Sequence, residues 1–148
     1  MILPKKISWL LLIFFFSFDA VVSYIAVTRM NGREADLLIA YFVEKYPLLY
    51  FVTIPGLVII MNLIVQGLTK FSTKFLNKNN LKKDIIEQII LTGLVIHWPV
   101  ANSYMNLSLM LGHRLTIPDW YKLTILGLSL AIIYFAFSLT HYKVMNKK

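Results

Sequence analysis

The stretch ISWLLLIFFFSFDAVVSYIAVT, from Ile7 to Thr28, holds a single side chain that is charged at neutral pH in water, Asp19. As a helix rising 1.5 Å per residue it would extend about 33 Å, enough to cross a hydrocarbon core of about 30 Å. Three further runs have the same character: Leu48 to Leu68, Ile85 to Leu111 and Trp120 to Thr140. Trp9, Trp120 and Tyr121 stand near the proposed ends, where amphipathic rings favour the membrane interface. The expected fold is therefore all-α: an integral membrane four-helix bundle, with residues 1–148 forming a single transmembrane domain.

Composition supports this reading. Apolar residues make up 58% of the 148-residue chain, and the mean hydropathy is +0.68. A soluble domain of this size could not bury so much apolar surface. There are no cysteines, which rules out disulfides, thiolate metal sites and cysteine nucleophiles. The net charge of +8 does not point to nucleic acid, because the basic residues lie in short loops and tails between apolar runs. Membrane orientation and anionic headgroups account for that placement. Asp19 also interrupts the apolar run that a cleaved leader would need, and no small-x-small site follows it, so the first run reads as a retained span.

The basic residues divide unevenly between the two sides. Lys5, Lys6, Lys70, Lys74, Lys78, Lys82, Lys83, Lys143, Lys147 and Lys148 fall on one side, with the loop between the second and third spans counted as beginning before Lys70. Arg29, Arg33, Lys45, Arg114 and Lys122 fall on the other, together with Glu34, Asp36, Glu44 and Asp119. The positive-inside rule then places both termini in the cytoplasm of a cell-membrane protein. Between the first two spans, Asp36 to Tyr46 reads as a short interfacial helix that ends at Pro47. The rival reading is one long tilted helix kinked at that proline.

Polar groups inside the spans are the candidates for function, since intramembrane ionisable residues are costly and call for a reason. Asp19 lies slightly past the middle of the first span and His97 near the middle of the third. Asn62 and Gln66 lie in the second, and Asn102 and Asn106 in the third. Helical spacing groups Asp19, Ser23 and Ala26 on one face. It groups Pro55, Ile59, Asn62, Gln66 and Thr69 on another, and Gly127, Ala131, Tyr134, Ser138 and His141 on a third. Small and polar stripes of this kind are expected to face the bundle centre; the last could instead face a second copy of the chain. In the third span Gly93, His97, Ala101, Tyr104 and Ser108 share a face, with Asn102 and Asn106 nearly opposite. Pro99 sits between, where a kink would change the facing.

Asp19 and His97 together suggest an acid–imidazole pair, either a hydrogen-bonded packing device or a proton relay; the other reading is a protonated Asp19 bonded to a hydroxyl such as Ser23. With Glu34 from the first outer loop they would form an oxygen-and-nitrogen shell for a divalent metal. The alternative for Glu34 and Asp36 is to cap the following helix at its N-terminal end. No zinc-protease, nucleophile-elbow or phosphate-loop motif occurs, and no cofactor is identified.

The segment from Phe18 to Tyr50 resembles a family of small prokaryotic multi-pass membrane proteins of unknown function. That family has an intramembrane Asp, a hydroxyl-Tyr pair, then Gly-x-Glu-x-Asn-Pro. Asp19, Ser23, Tyr24, Gly32 and Glu34 match the pattern; Asp36 and Leu37 stand where the family has Asn-Pro. The resemblance implies a compact helical bundle and no assigned activity.

Two function classes follow. One is a subunit, assembly factor or scaffold of a membrane complex, touching lipid and a protein partner or a second copy through its helices. The other is an intramembrane metal-dependent enzyme or ion/proton pathway built on Asp19, His97, Asn102, Asn62 and Glu34. The orientation is open to direct test, because the chain has no native cysteine to remove. In intact cells an impermeant maleimide is expected to label a Glu34→Cys variant and to spare Lys78→Cys. Labelling of Lys78→Cys alone would invert the orientation.

Overall fold

A computed structural model describes residues 2–29, 41–43, 45–76, 82–112 and 117–145. The elements are α1 (Lys5–Arg29), α2 (Leu49–Leu76), α3 (Lys83–Trp98), α4 (Tyr104–Met110) and α5 (Ile117–Met145). A π-helical turn, Pro99–Ser103, joins α3 to α4 without a break, so these three pieces form one span. Among the described residues four segments are long and apolar enough to cross a membrane: Lys5–Arg29, Leu49–Lys74, Lys83–Ser108 and Asp119–Tyr142. The expected all-α, four-span bundle is present.

Before α2, residues 41–43 and 45 are helical, and the Tyr46 amide donates to the Phe42 carbonyl at 2.8 Å. The chain then leaves the helix around Pro47. It re-enters through short-range bonds from Leu49 to Tyr46, Tyr50 to Pro47 and Phe51 to Leu48, the tighter hydrogen-bond pattern common at helix starts. The short helix is thus separate from α2, and the reading of one kinked helix is set aside. Val43 is buried against Ala20 and Tyr50, while Tyr41 and Phe42 are exposed.

The third span is central. Of its apolar window 44% is buried, against 22%, 6% and 11% for the first, second and fourth spans. α3 touches α1, α2 and α5, whereas α5 packs on α3 and the π turn. The core joins Leu12 and Phe16 of α1, Val65 of α2, and Ile86, Ile90, Leu91 and Val95 of α3. In lipid, such contacts stabilise by close packing rather than by release of water.

Two polar clamps fix the register of α1 on α3. At one end the Lys5 ammonium lies 2.5 Å from Asp84 Oδ1 and 2.8 Å from Glu87 Oε2. The Leu3 amide there donates to Thr92 Oγ1 at 3.1 Å. Further along, Trp98 Nε1 donates to Asp19 Oδ2 at 2.5 Å. Lys5 at the start of α1 meets Asp84 at the start of α3, and Asp19 further along α1 meets Trp98 at the end of α3, so α1 and α3 run parallel.

Two sequence expectations need correction, and one alternative is set aside. First, α2 continues past Leu68 to Leu76, so Lys70 and Lys74 belong to a helix and not to a loop. Their long stems let the ammonium reach water from a helical position. Second, the α2 stripe is turned the other way. Ile59, Asn62 and Gln66 are exposed, and of that stripe Thr69 alone is buried. Val58, Met61 and Val65 pack inward instead, because the surface that α3 offers is Ile86 and Ile90, which match apolar side chains and leave an amide without a partner. The stripe of α5 faces the bundle centre, as expected, and the alternative in which it meets a second copy is set aside. Gly127 lies on His97, and Ala131 lies opposite Gly93, whose Cβ position is 3.8 Å from the Ala131 Cβ. His141, at the end of that stripe, is exposed and stacked on Phe137.

Candidate functional site

Asp19 lies in α1 beside a fully buried row of Ser8, Leu12 and Phe16. One carboxyl oxygen, Oδ2, accepts the indole N–H of Trp98, and the Trp98 ring meets the Phe16 ring edge-on at a centroid distance of 4.5 Å. The side chains of Ser103 and Asn106 are turned toward the same carboxyl. The other oxygen, Oδ1, is buried without a hydrogen-bond partner, as is Ser103 Oγ. The cluster is therefore one acid facing an indole, a hydroxyl and an amide, with the indole bond formed.

The π turn assembles this cluster. In an uninterrupted α-helix, advancing 100° per residue, Ser103 and Asn106 would stand about 140° and 80° around the axis from Trp98. Pro99 has no N–H to donate, and the Tyr104 amide bonds back to the Pro99 carbonyl, five residues earlier. This wider turn holds one extra residue and retards everything after it by about 100°. Ser103 and Asn106 then fall within about 40° of Trp98. The same shift turns Tyr104 outward, to 55% exposure, and brings Met105 inward. Tyr104 therefore leaves the face it was expected to share with His97, and Asn106 is no longer on a free second face of the span.

His97 goes to a different neighbour. Its ring lies against the backbone of α5 at Gly127, and Nδ1 is buried without a partner. Among the described residues, Asp19 and His97 share neither a hydrogen bond nor an ion pair. Asn102 is half-buried in the π turn. Asn62 is exposed on α2, where it lines an open groove of about 310 Å³ with Trp9, Val58 and Ile59. Glu34, with Gly32 and Asp36, lies outside the described residues. Among the described residues no three His, Asp or Glu side chains gather as metal ligands would.

Trp98 and Ser103 were missed by sequence reasoning. The available signal was an indole N–H next to His97 in the middle of a span: a buried indole donor requires an acceptor, and Asp19 is a carboxylate at matching depth. No protein-family model, curated protein or solved structure matches the chain.

The His97–Gly127 contact has a measurable consequence. A Cβ at position 127 would come within 2.7 Å of His97 Nδ1 and 3.0 Å of the His97 carbonyl. The ring could move aside, but the carbonyl could not. Gly127→Ala should force α3 and α5 apart and destabilise the bundle by about 1–3 kcal/mol. Gly67→Ala, with nothing within 4 Å of its Cβ position, should be neutral or slightly stabilising. Reversible unfolding in mixed micelles compares the two; equal effects would remove the contact from the account.

Proposed function

We propose that this protein is a non-enzymatic component of a membrane complex: a small subunit, assembly factor or scaffold with both termini in the cytoplasm. The observation that carries the reading is where the intramembrane acid goes. Asp19 is bonded to Trp98 and faced by Ser103 and Asn106, all within the chain, so its polarity serves to fix one helix on another. His97 is used in the same way, packed on Gly127. A bundle locked internally leaves its outer surfaces for lipid and for lateral contact with other membrane proteins. Those surfaces are extensive: Ile60, Leu63 and Phe71 of α2 and Ile125, Ile132, Ile133 and Phe137 of α5 are all more than half exposed. Membership of the small prokaryotic membrane-protein family is part of the same proposal, supported by Asp19 and Tyr24 in the first span.

Purification of the tagged chain from its native membrane in mild detergent tests this. A second polypeptide is expected at fixed stoichiometry, and the complex containing it should fail to assemble when the chain is depleted. Recovery of a lone, metal-loaded protein in repeated preparations would overturn the reading in favour of a metal site reaching Asp19 and His97.

A further inference from the structure

We infer that the groove between α1 and α2 holds one anionic phospholipid, its phosphate between Lys6 and Lys70. The groove is open to the membrane and lined by Trp9 of α1 and by Val58, Ile59 and Asn62 of α2. Helical spacing extends both walls toward the same end of the bundle. Lys6 precedes Trp9 by one turn, and Gln66 and Lys70 follow Asn62 at i+4 and i+8. Both lysines are exposed, and among the described residues neither forms an ion pair, whereas the adjacent Lys5 is taken by Asp84 and Glu87. That they share one end follows from the core, where Val65 of α2 packs with Leu12 of α1 and Ile86 of α3.

The chemistry along the groove changes with depth as a phospholipid does. The free ammonium groups stand toward its mouth, Lys70 about 12 Å past Asn62 and Lys6 about 4.5 Å past Trp9, and their long stems let both reach a phosphate. The Gln66 amide is about 6 Å deeper than Lys70 along α2, and its N–H groups suit an ester carbonyl. Below it are Val58, Ile59 and the Trp9 ring, which suit an acyl chain. The exposed amides of Asn62 and Gln66 also gain a reason: among the described residues they have no protein partner, and a lipid ester or its ordered water would satisfy donors that hydrocarbon cannot. The charge selects the ligand, because two lysines without acids favour an anionic headgroup over a zwitterionic one. The site is independent of the subunit reading, which rests on Asp19 and His97.

Native mass spectrometry tests it on the full chain, equilibrated in detergent with equal amounts of phosphatidylglycerol and phosphatidylcholine of matched acyl chains. The wild-type protein is expected to retain one phosphatidylglycerol in preference to phosphatidylcholine. The double variant Lys6→Gln, Lys70→Gln should lower that preference about 30-fold, equivalent to about 1 kcal/mol per lysine. The double variant Arg29→Gln, Lys45→Gln removes the same charge at the other end and should leave it unchanged. Ile59→Trp, which fills the groove, should reduce retention of both lipids. Equal retention of the two lipids by the wild type would overturn the proposal. So would a Lys6/Lys70 variant indistinguishable from wild type, or an Ile59→Trp variant that still holds its lipid.

Discussion

The hydrogen bond from the Trp98 indole to the Asp19 carboxyl is the constraint on which the rest of this bundle depends. An acid near the middle of a span is costly in hydrocarbon, about 2.5–3.5 kcal/mol on insertion scales, so the helix that carries it is stable only where a donor meets it. Trp98 supplies that donor at 2.5 Å. With the Lys5 clamp to Asp84 and Glu87, it sets α1 parallel to α3 and opposes sliding of one helix along the other. The apolar core of Leu12, Phe16, Ile86, Ile90 and Val95 would tolerate small slips by itself, because lipid is as apolar as the side chains that pack. The polar bonds make the register unique.

Around that axis the other helices are placed by shape. α5 reaches α3 because glycine and alanine face each other across the contact, at Gly93 with Ala131 and Gly127 with His97. α2 is added on the far side through Val58, Met61 and Val65 and remains the least buried span. The π turn at Pro99 links the two kinds of order. It lets the central span present Gly93 and His97 to α5 below the turn, and Ser103 and Asn106 to α1 above it. A straight helix could not serve both neighbours.

The four spans were legible because their length and apolarity leave no other solvent for them, and the break before α2 was legible in Pro47. The facing of α5 could be read from its small residues. The facing of α2 could not: periodicity says that Asn62 and Gln66 share a stripe, but not which way the stripe turns, and a neighbour offering apolar side chains such as Ile86 and Ile90 turned it outward. The central span was partly legible. Pro99 marked a disturbance, yet a proline does not announce whether it bends a helix or adds a residue to one turn, and the added residue decided the places of Ser103, Tyr104 and Asn106. Asp19 was recognisable as a buried acid needing a partner. His97 stands out in the sequence because it titrates, whereas the Trp98 indole, whose N–H is equally a donor in the membrane interior, carries no charge to mark it. Glu34 lies outside the described residues, so the outer loop adds nothing to this comparison.

A double-mutant cycle across Asp19 and Trp98 tests the central claim most directly. Reversible unfolding in mixed micelles would be measured for the wild type, Asp19→Ala, Trp98→Phe and the pair. If the bond holds α1 on α3, the two substitutions couple by about 1–2 kcal/mol, and the second costs little once the first is made. Additive effects, with a coupling below about 0.3 kcal/mol, would mean that the carboxyl and the indole act independently and that something else sets the register of the bundle.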